Sequence, residues 1–281
     1  MAENGVFLRL ENVSKTFPGV NALSGVGFDV RRGEVHALIG ENGAGKSTLI
    51  KVLTGVYQPD PGAVIEIEGG RAESMSALDA MRHGIIAIYQ DFSLFPTLSV
   101  KENIAFSEQI EKRNRFADWR GMEKTARKAL ESLGVSIDLR ARANTLSTAK
   151  QQLVAIARAL VYDAKLLIMD EPTSALSSGE VEALFKIVRT LRDRGMAIIF
   201  ISHKLDELFR IADRMTVLRD GKLIGTAPTG EMNRQKLISM MVGREISEER
   251  LTGKGAGEVV LEVKNISKAG NYQNVSFQLR K

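Results

Sequence analysis

The chain has 281 residues, 44% hydrophobic and 26% charged, and a net charge of +5 from 39 basic and 34 acidic residues. That composition supports a folded core in one large or two small domains and excludes global disorder; the mild positive charge points only weakly to nucleotides or anionic surfaces. The lack of cysteine rules out disulfides, iron–sulfur clusters, Cys-based zinc sites and a Cys nucleophile, and an aromatic content of 6% argues against a stacking platform, so no nucleic-acid partner is expected.

Met1 to Leu10 has no basic region followed by an apolar run, so no secretory leader is expected. No apolar run approaches the ~18 residues of a membrane-spanning helix. Val6–Asn12 and Gly25–Val30 alternate apolar and polar residues, as half-buried strands do. Val35–Ile39 is a short continuous apolar run, the pattern of a strand buried on both faces of a parallel sheet. Directly after it comes Gly40-Glu41-Asn42-Gly43-Ala44-Gly45-Lys46-Ser47, which matches G-x-x-x-x-G-K-[ST] and leads into a helical pattern beginning at Thr48. Glycines in such a loop let successive backbone N–H groups point inward as an anion cradle. The helix behind it aims its positive end at phosphate. Lys46 is placed to bridge the β- and γ-phosphates, and Ser47 to hold Mg²⁺.

Ile85–Tyr89 is a second buried run and ends in Gln90, whose amide oxygen suits Mg²⁺; a helix cap or loop role is the other reading of Gln90. From Asp91 to Ala164 the pattern turns helical. Leu153, Ile156, Ala157, Leu160 and Val161 make one apolar stripe there, and Glu111–Arg115 reads as a solvated charge run. The strand Lys165–Met169 delivers Asp170 and Glu171 to its carboxyl end, the edge where ligands bind in open α/β sheets. Asp170 is placed to hold Mg²⁺ and Glu171 to polarise an attacking water as general base; a solvated carboxylate pair is the alternative. The strand Ala197–Ile201 brings His203 to the same edge, where it would bond the γ-phosphate and orient Glu171. His36 reads as a strand residue and His83 as a helix-end residue.

Met215–Leu218 and Lys222–Gly225 read as a hairpin around Arg219-Asp220-Gly221. Leu237, Met240, Met241 and Ile246 suggest a short amphipathic helix, and Thr252–Gly257 reads as a flexible linker. The chain then repeats itself. Leu8–Lys15 resembles Leu261–Lys268, and Val26–Arg32 resembles Val275–Lys281, with four residues fewer between the blocks of the second copy. The expectation is a tandem protein whose second domain begins near residue 259.

Together these residues resemble an ABC transporter ATPase subunit over residues 6–226, with the motifs in the family's order. Gly40–Ser47 corresponds to its Walker A loop, Leu166–Glu171 to its Walker B strand and catalytic glutamate, Gln90 to its Q-loop glutamine and His203 to its switch histidine. The resemblance implies an α/β fold: a P-loop NTPase core with an antiparallel β-subdomain and an inserted helical subdomain at about 91–162. It implies a first cassette over 1–226, a tail and linker over 227–258, and the start of a second, truncated cassette over 259–281. Its cofactors are ATP and Mg²⁺, bound by Gly40 to Thr48, with Ser47, Gln90 and Asp170 on the metal. Phe17 stands where the family stacks an aromatic on adenine; core packing is the other reading of Phe17. The family's signature, Leu-Ser-Gly-Gly-Gln, appears here as Leu146-Ser147-Thr148-Ala149-Lys150: Ser147 is kept, the glycines are not. In the family one half's signature closes over ATP held by the other half. Ala149 adds a methyl where backbone must approach phosphate closely, so the partner's site is expected to turn over poorly. Ser177 also stands where the family usually has Asp.

Two fused ATPase halves with a degenerate first signature resemble the subunits that power bacterial monosaccharide importers of the ribose, galactose and xylose type. The resemblance implies import of a monosaccharide, with the second cassette, an integral membrane permease and, indirectly, a sugar-binding protein as partners. It implies a peripheral location on the cytoplasmic face of the inner membrane. A soluble tandem ATPase acting on ribosomes is the alternative, but such proteins have a long charged linker and an intact first signature. An ATP-gated scaffold that does not hydrolyse would have no use for the Asp170–Glu171 pair.

Overall fold

The two hydrophobic patterns build two different sheets. In the computed structural model, which describes residues 5–72, 75–111, 117–243 and 257–281, the chain forms two units, Met1–Arg244 and Glu245–Lys281. The first unit begins with β1 (Val6–Phe17), β2 (Val20–Arg31), β3 (Val35–Ile39), α1 (Lys46–Leu53), β4 (Val64–Ile67), β5 (Gly70–Arg71), α2 (Ala77–Arg82) and β6 (Ile85–Ile88). Three helices follow, α3 (Val100–Glu111), α4 (Trp119–Ser132) and α5 (Thr148–Val161). The unit closes with β7 (Leu166–Asp170), α6 (Ser178–Asp193), β8 (Ala197–Ile201), α7 (Leu205–Ile211), β9 (Arg214–Arg219), β10 (Lys222–Pro228) and α8 (Arg234–Val242).

The alternating strands form an antiparallel sheet in the order β2-β1-β4-β5. The continuous apolar runs form a six-stranded sheet, β10-β9-β3-β8-β7-β6, parallel except for β10 at its edge. The α/β class expected from the sequence is therefore the one observed. Every buried strand feeds two cores, because successive side chains point to opposite faces. Leu38, Leu166, Ile168, Ile199 and Ile201 pack with α1 and the antiparallel sheet. Ala37, Leu167, Met169, Ile198 and Phe200 pack with α5, α6, α7 and α8. A third core lies among α3, α4 and α5.

Several boundaries differ from the sequence reading, each for a physical reason. β1 runs on past Asn12 because a bulge absorbs the break in alternation: Leu10 pairs with Phe28, Val13 with Val26, and Asn12 takes φ 52°. β4 and β5, too short to carry a pattern, were not anticipated. The stripe on α5 is only part of its buried surface, and Leu153, Leu160 and Val161 are half-buried. Ile156 joins the second core, Ala157 the third, and Val154, Ala155 and Ala159 are buried besides. His83 caps the C-terminus of α2. Leu237, Met240 and Met241 lie on α8 against the second core; Ile246, residues 252–256 and the charge run at 112–115 fall outside the described residues.

His36 is a strand residue, but it is also the centre of a buried polar network. Its Nδ1 hydrogen-bonds Glu34 Oε1 at 2.9 Å and its Nε2 bonds Thr216 Oγ1 at 2.6 Å. Phe28 stacks on the ring at 5.3 Å. Arg214 donates both terminal nitrogens to Asp29, at 2.9 and 3.1 Å, and reaches Glu34 at 3.3 Å, so it ties β2 to β3 and β9. Burial raises both carboxyls, but their partners more than reverse this. Arg214, with Arg31 and His36 behind it, leaves Asp29 below its ordinary range. His36, then Arg214 and the Arg31 backbone N–H, do the same for Glu34. Folded-state values below unfolded ones mean that this contribution is complete above about pH 4–5 and is lost as pH falls through the lower folded values. Replacing Arg214 with Met should cost about 3 kcal/mol of unfolding free energy at pH 7. The gap to the wild type should narrow toward pH 3, as urea titrations at the two pH values would show; a gap independent of pH would refute the pairing.

The second unit is a hairpin of β11 (Val259–Lys268) and β12 (Tyr272–Arg280). Its register copies that of β1 and β2. Leu261 pairs with Leu279 as Leu8 does with Val30, Val263 with Phe277 as Leu10 does with Phe28, and Ile266 with Val275 as Val13 does with Val26. The bulge is copied too, with Asn265 at φ 50°. So is a turn bond: Ser267 Oγ accepts from Asn274 N–H at 2.8 Å, as Ser14 Oγ accepts from Gly25 N–H at 2.9 Å. What differs is burial. Leu8, Val13 and Val30 are fully buried, whereas Leu261, Ile266 and Leu279 are 41–57% exposed.

Candidate functional site

The loop between β3 and α1 has the conformation its glycines permit. Gly43 and Gly45 take φ 86° and 98°, and Gly45 precedes α1 as an N-cap that offers no side chain to the helix amides. Those amides are left for a ligand. Lys46 folds its Nζ across the loop mouth, donating to the carbonyls of Gly40 at 2.7 Å and Glu41 at 2.9 Å. Burial pushes the Lys46 ammonium down, and Glu171 and Asp170 oppose it. A partly desolvated ammonium bonded to two carbonyls beside open helix amides offers an oxyanion complementary charge and donors.

The carboxyl ends of β6, β7 and β8 supply the rest. Asp170 ends β7, and burial, then the Glu171 charge, raises its carboxyl against the pull of Lys46. Glu171 follows in a left-handed conformation, φ 49°, with its N–H bonded to Ile201 O at 3.0 Å. That strained turn directs its carboxylate to His203, whose Nδ1 meets Glu171 Oε2 at 2.8 Å. The two loops are braced against each other. Glu207 bonds Thr173 and Ser202, and Lys204 donates to Thr173 O at 2.8 Å and pairs with Glu207 at 3.2 Å.

One cavity of about 560 Å³ is lined by Phe17, Asn42, Gly43, Gly45, Lys46, Ser47, Thr48, Gln90, Asp170 and Glu171. Gly40 and Glu41 bind Lys46 behind it, Ala44 is buried beneath the loop, and His203 reaches it through Glu171. Ser147 is not brought here; it caps α5, accepting from Lys150 N–H. Phe17 is in edge contact with Tyr57 at 5.2 Å and under Lys15 at 5.4 Å. Val20, Asn21 and Ala22 also line the cavity and were missed by the sequence reading. The turn Phe17–Val20, which carries them beside the loop, was the available signal. The brace of Lys204 and Glu207 was missed as well, although their spacing of three residues at a helix start could have suggested it.

Magnesium fits this donor set. The Ser47 hydroxyl, the Gln90 amide oxygen and the Asp170 carboxylate belong to residues lining this cavity and would offer a cation hard oxygen donors. Among the described residues no group of three His, Cys, Asp or Glu side chains is gathered to hold a metal alone. A cation held by these residues would fill the rest of its shell with water and phosphate oxygens, as Mg²⁺ does when it travels with a nucleotide.

Comparison with known proteins identifies the family. The family described as ABC transporter matches residues 23–174. A ribose import ATP-binding protein of Rubrobacter xylanophilus is 48% identical over 276 residues, covering 97% of this chain and 54% of that protein. A putative ribose/galactose/methyl galactoside import ATP-binding protein of Agrobacterium fabrum is 47% identical over 277 residues, covering 97% and 53%. The chain thus spans about half the length of the curated relatives it matches. Among solved structures, an ATP-binding cassette of an ABC transporter in its ADP conformation superposes with a TM-score of 0.74 at 28% identity, covering 85% of this chain and 99% of that one. A nucleotide-free cassette superposes with a TM-score of 0.72 at 28% identity, covering 85% and 96%. With a phosphate loop, paired sheet-edge carboxylates and a family match over more than half its length, the chain belongs to the ABC transporter family and has the fold of its ATP-binding cassettes.

Proposed function

We propose that this chain binds Mg-ATP and, within a longer protein, hydrolyses it to drive monosaccharide import through a membrane permease. The observation that carries the reading is the single cavity joining Lys46, Ser47, Gln90 and Asp170 to the Glu171–His203 pair. Lys46 and the amides of Gly43–Ser47 hold the phosphates, and the face of Phe17 receives the adenine. Ser47, Asp170 and Gln90 hold Mg²⁺, which when bound neutralises charge on the phosphates. Glu171 takes a proton from the attacking water, and His203, bonded to it, holds the carboxylate in line and meets the γ-phosphate. Phosphoryl transfer depends mainly on such positioning and charge stabilisation.

The longer protein is proposed to be a tandem of two cassettes, the first over 1–226, a tail and linker over 227–258, and the second beginning at 259. The copied register of β11 and β12 supports this, as do relatives about twice this length. The signature Ser147-Thr148-Ala149 would then cap ATP held by the second cassette, and cap it poorly. Monosaccharide import, with a permease and a sugar-binding protein as partners and a place on the cytoplasmic face of the membrane, is supported by the relatives' names. A groove of about 390 Å³, flanked by the exposed Val56, Phe95 and Phe106 and lying beside the Gln90 loop, offers the permease an apolar seat.

A cassette without its opposing half lacks the groups that close over the γ-phosphate. The isolated chain is therefore expected to bind ATP at micromolar concentration but turn it over at least roughly a hundredfold more slowly than the tandem protein. Equilibrium binding and phosphate release on both proteins test this. Full-rate hydrolysis by the isolated chain, or no ATP binding, would refute it.

A further inference from the structure

The loop that carries Gln90 is held in place by a residue outside the nucleotide site. Gln90 lines the cavity, and two positions later Phe92 and Ser93 both take left-handed conformations, φ 57° and 45°. Two consecutive non-glycine residues in that region are costly and persist only where their surroundings hold them. Within the loop, Phe92 N–H donates to Tyr89 O at 2.8 Å, and Asp91 Oδ1 accepts from the N–H and the hydroxyl of Ser93, each at 3.2 Å. These bonds shape the turn. They do not fix where it sits.

Arg158 does that. From α5 it donates Nη1–H to Ser93 O at 2.7 Å and Nη2–H to Phe92 O at 3.0 Å. No carboxylate among the described residues pairs with it. A planar fork on two adjacent carbonyls sets both distance and orientation, which a lysine's single ammonium does not. The same helix starts at Ser147. Gln90 is thus tied through Arg158 to the helical block rather than to β6 alone.

We infer that Arg158 is a positioning residue for Gln90: its two hydrogen bonds to the Phe92 and Ser93 carbonyls place the Gln90 amide oxygen for Mg²⁺. The inference rests on the Mg-ATP reading of the cavity. It is tested by binding of a fluorescent ATP analogue to the full chain, titrated with Mg²⁺ and repeated in EDTA. Arg158→Lys keeps the charge and loses the fork. Its metal-free binding should stay within about twofold of wild type, while the Mg²⁺ concentration at half-saturation rises roughly tenfold, the size expected when the support of a metal ligand is lost. Gln90→Ala should show the same rise, and the double variant no more than either single one. An unchanged Mg²⁺ dependence in folded Arg158→Lys, or a rise that adds in full to that of Gln90→Ala, would overturn the inference. If Arg158→Lys does not fold, Arg158→Gln, whose amide can donate to one of the two carbonyls but not fork across both, takes its place, and an unmoved Mg²⁺ dependence there overturns it equally. A wild-type chain that shows no Mg²⁺-dependent binding would instead sink the Mg-ATP reading, and this inference with it.

Discussion

Changing Glu171 to Gln in the full-length protein should lower ATP turnover by roughly 10²- to 10⁴-fold, the range for losing a general base, while nucleotide stays bound. The substitution is nearly isosteric. Glutamine can still accept a hydrogen bond from His203, and it meets the same backbone demand at φ 49° as glutamate does. It cannot take a proton from water. Binding should hold or tighten, because Glu171 adds negative charge beside Asp170 in a cavity that must admit a polyanion. Single-turnover hydrolysis and equilibrium binding on the same preparation separate the two effects. Undiminished turnover would remove Glu171 from the role of base. Lost binding would mean that its charge organises Lys46, whose ammonium it stabilises against the effect of burial.

How much of this site could be read from the chain depends on the range of its interactions. Val35–Ile39 and Ala197–Ile201 were legible to the residue, because a buried parallel strand is a continuous apolar run bounded by turns. The phosphate loop was legible because its spacing encodes backbone conformation directly. Asn12 was misleading: the bulge there shifts the apolar phase, so alternation seemed to stop where β1 in fact continues. The network of Asp29, Glu34, His36 and Arg214 was not legible, since Glu34 and Arg214 lie 180 positions apart and each looks like an ordinary strand residue. Arg158 was hidden in the same way. On α5 it reads as a polar break between apolar positions, and its role appears only when Phe92 and Ser93, 66 and 65 positions away, turn their carbonyls to it.

The loop offers an equally large effect through its backbone. Gly45→Ala should weaken ATP binding at least about a hundredfold, or about 2.7 kcal/mol, and lower stability by about 2–3 kcal/mol. A Cβ at Gly45 would lie 2.6 Å from Ala22 O and 2.8 Å from Leu23 Cδ2, and φ 98° is itself strained for alanine. Neither neighbour yields easily. Ala22 and Leu23 belong to β2, which is paired along its length with β1, and Leu23 is buried in the first core. The loop must therefore move instead, and with it go the α1 amides and Lys46 that cradle the phosphates. Gly195 provides the control. It has a similar φ of 90°, no atom within 4 Å of a built Cβ, and a place in the turn after α6. Gly195→Ala should carry the backbone strain alone, about 1–2 kcal/mol, and leave nucleotide affinity unchanged. Calorimetric melting and ATP titration on the two variants give the comparison. If Gly45→Ala lost stability no more than Gly195→Ala and still bound ATP normally, the close approach of the loop to β2 would not matter to the site.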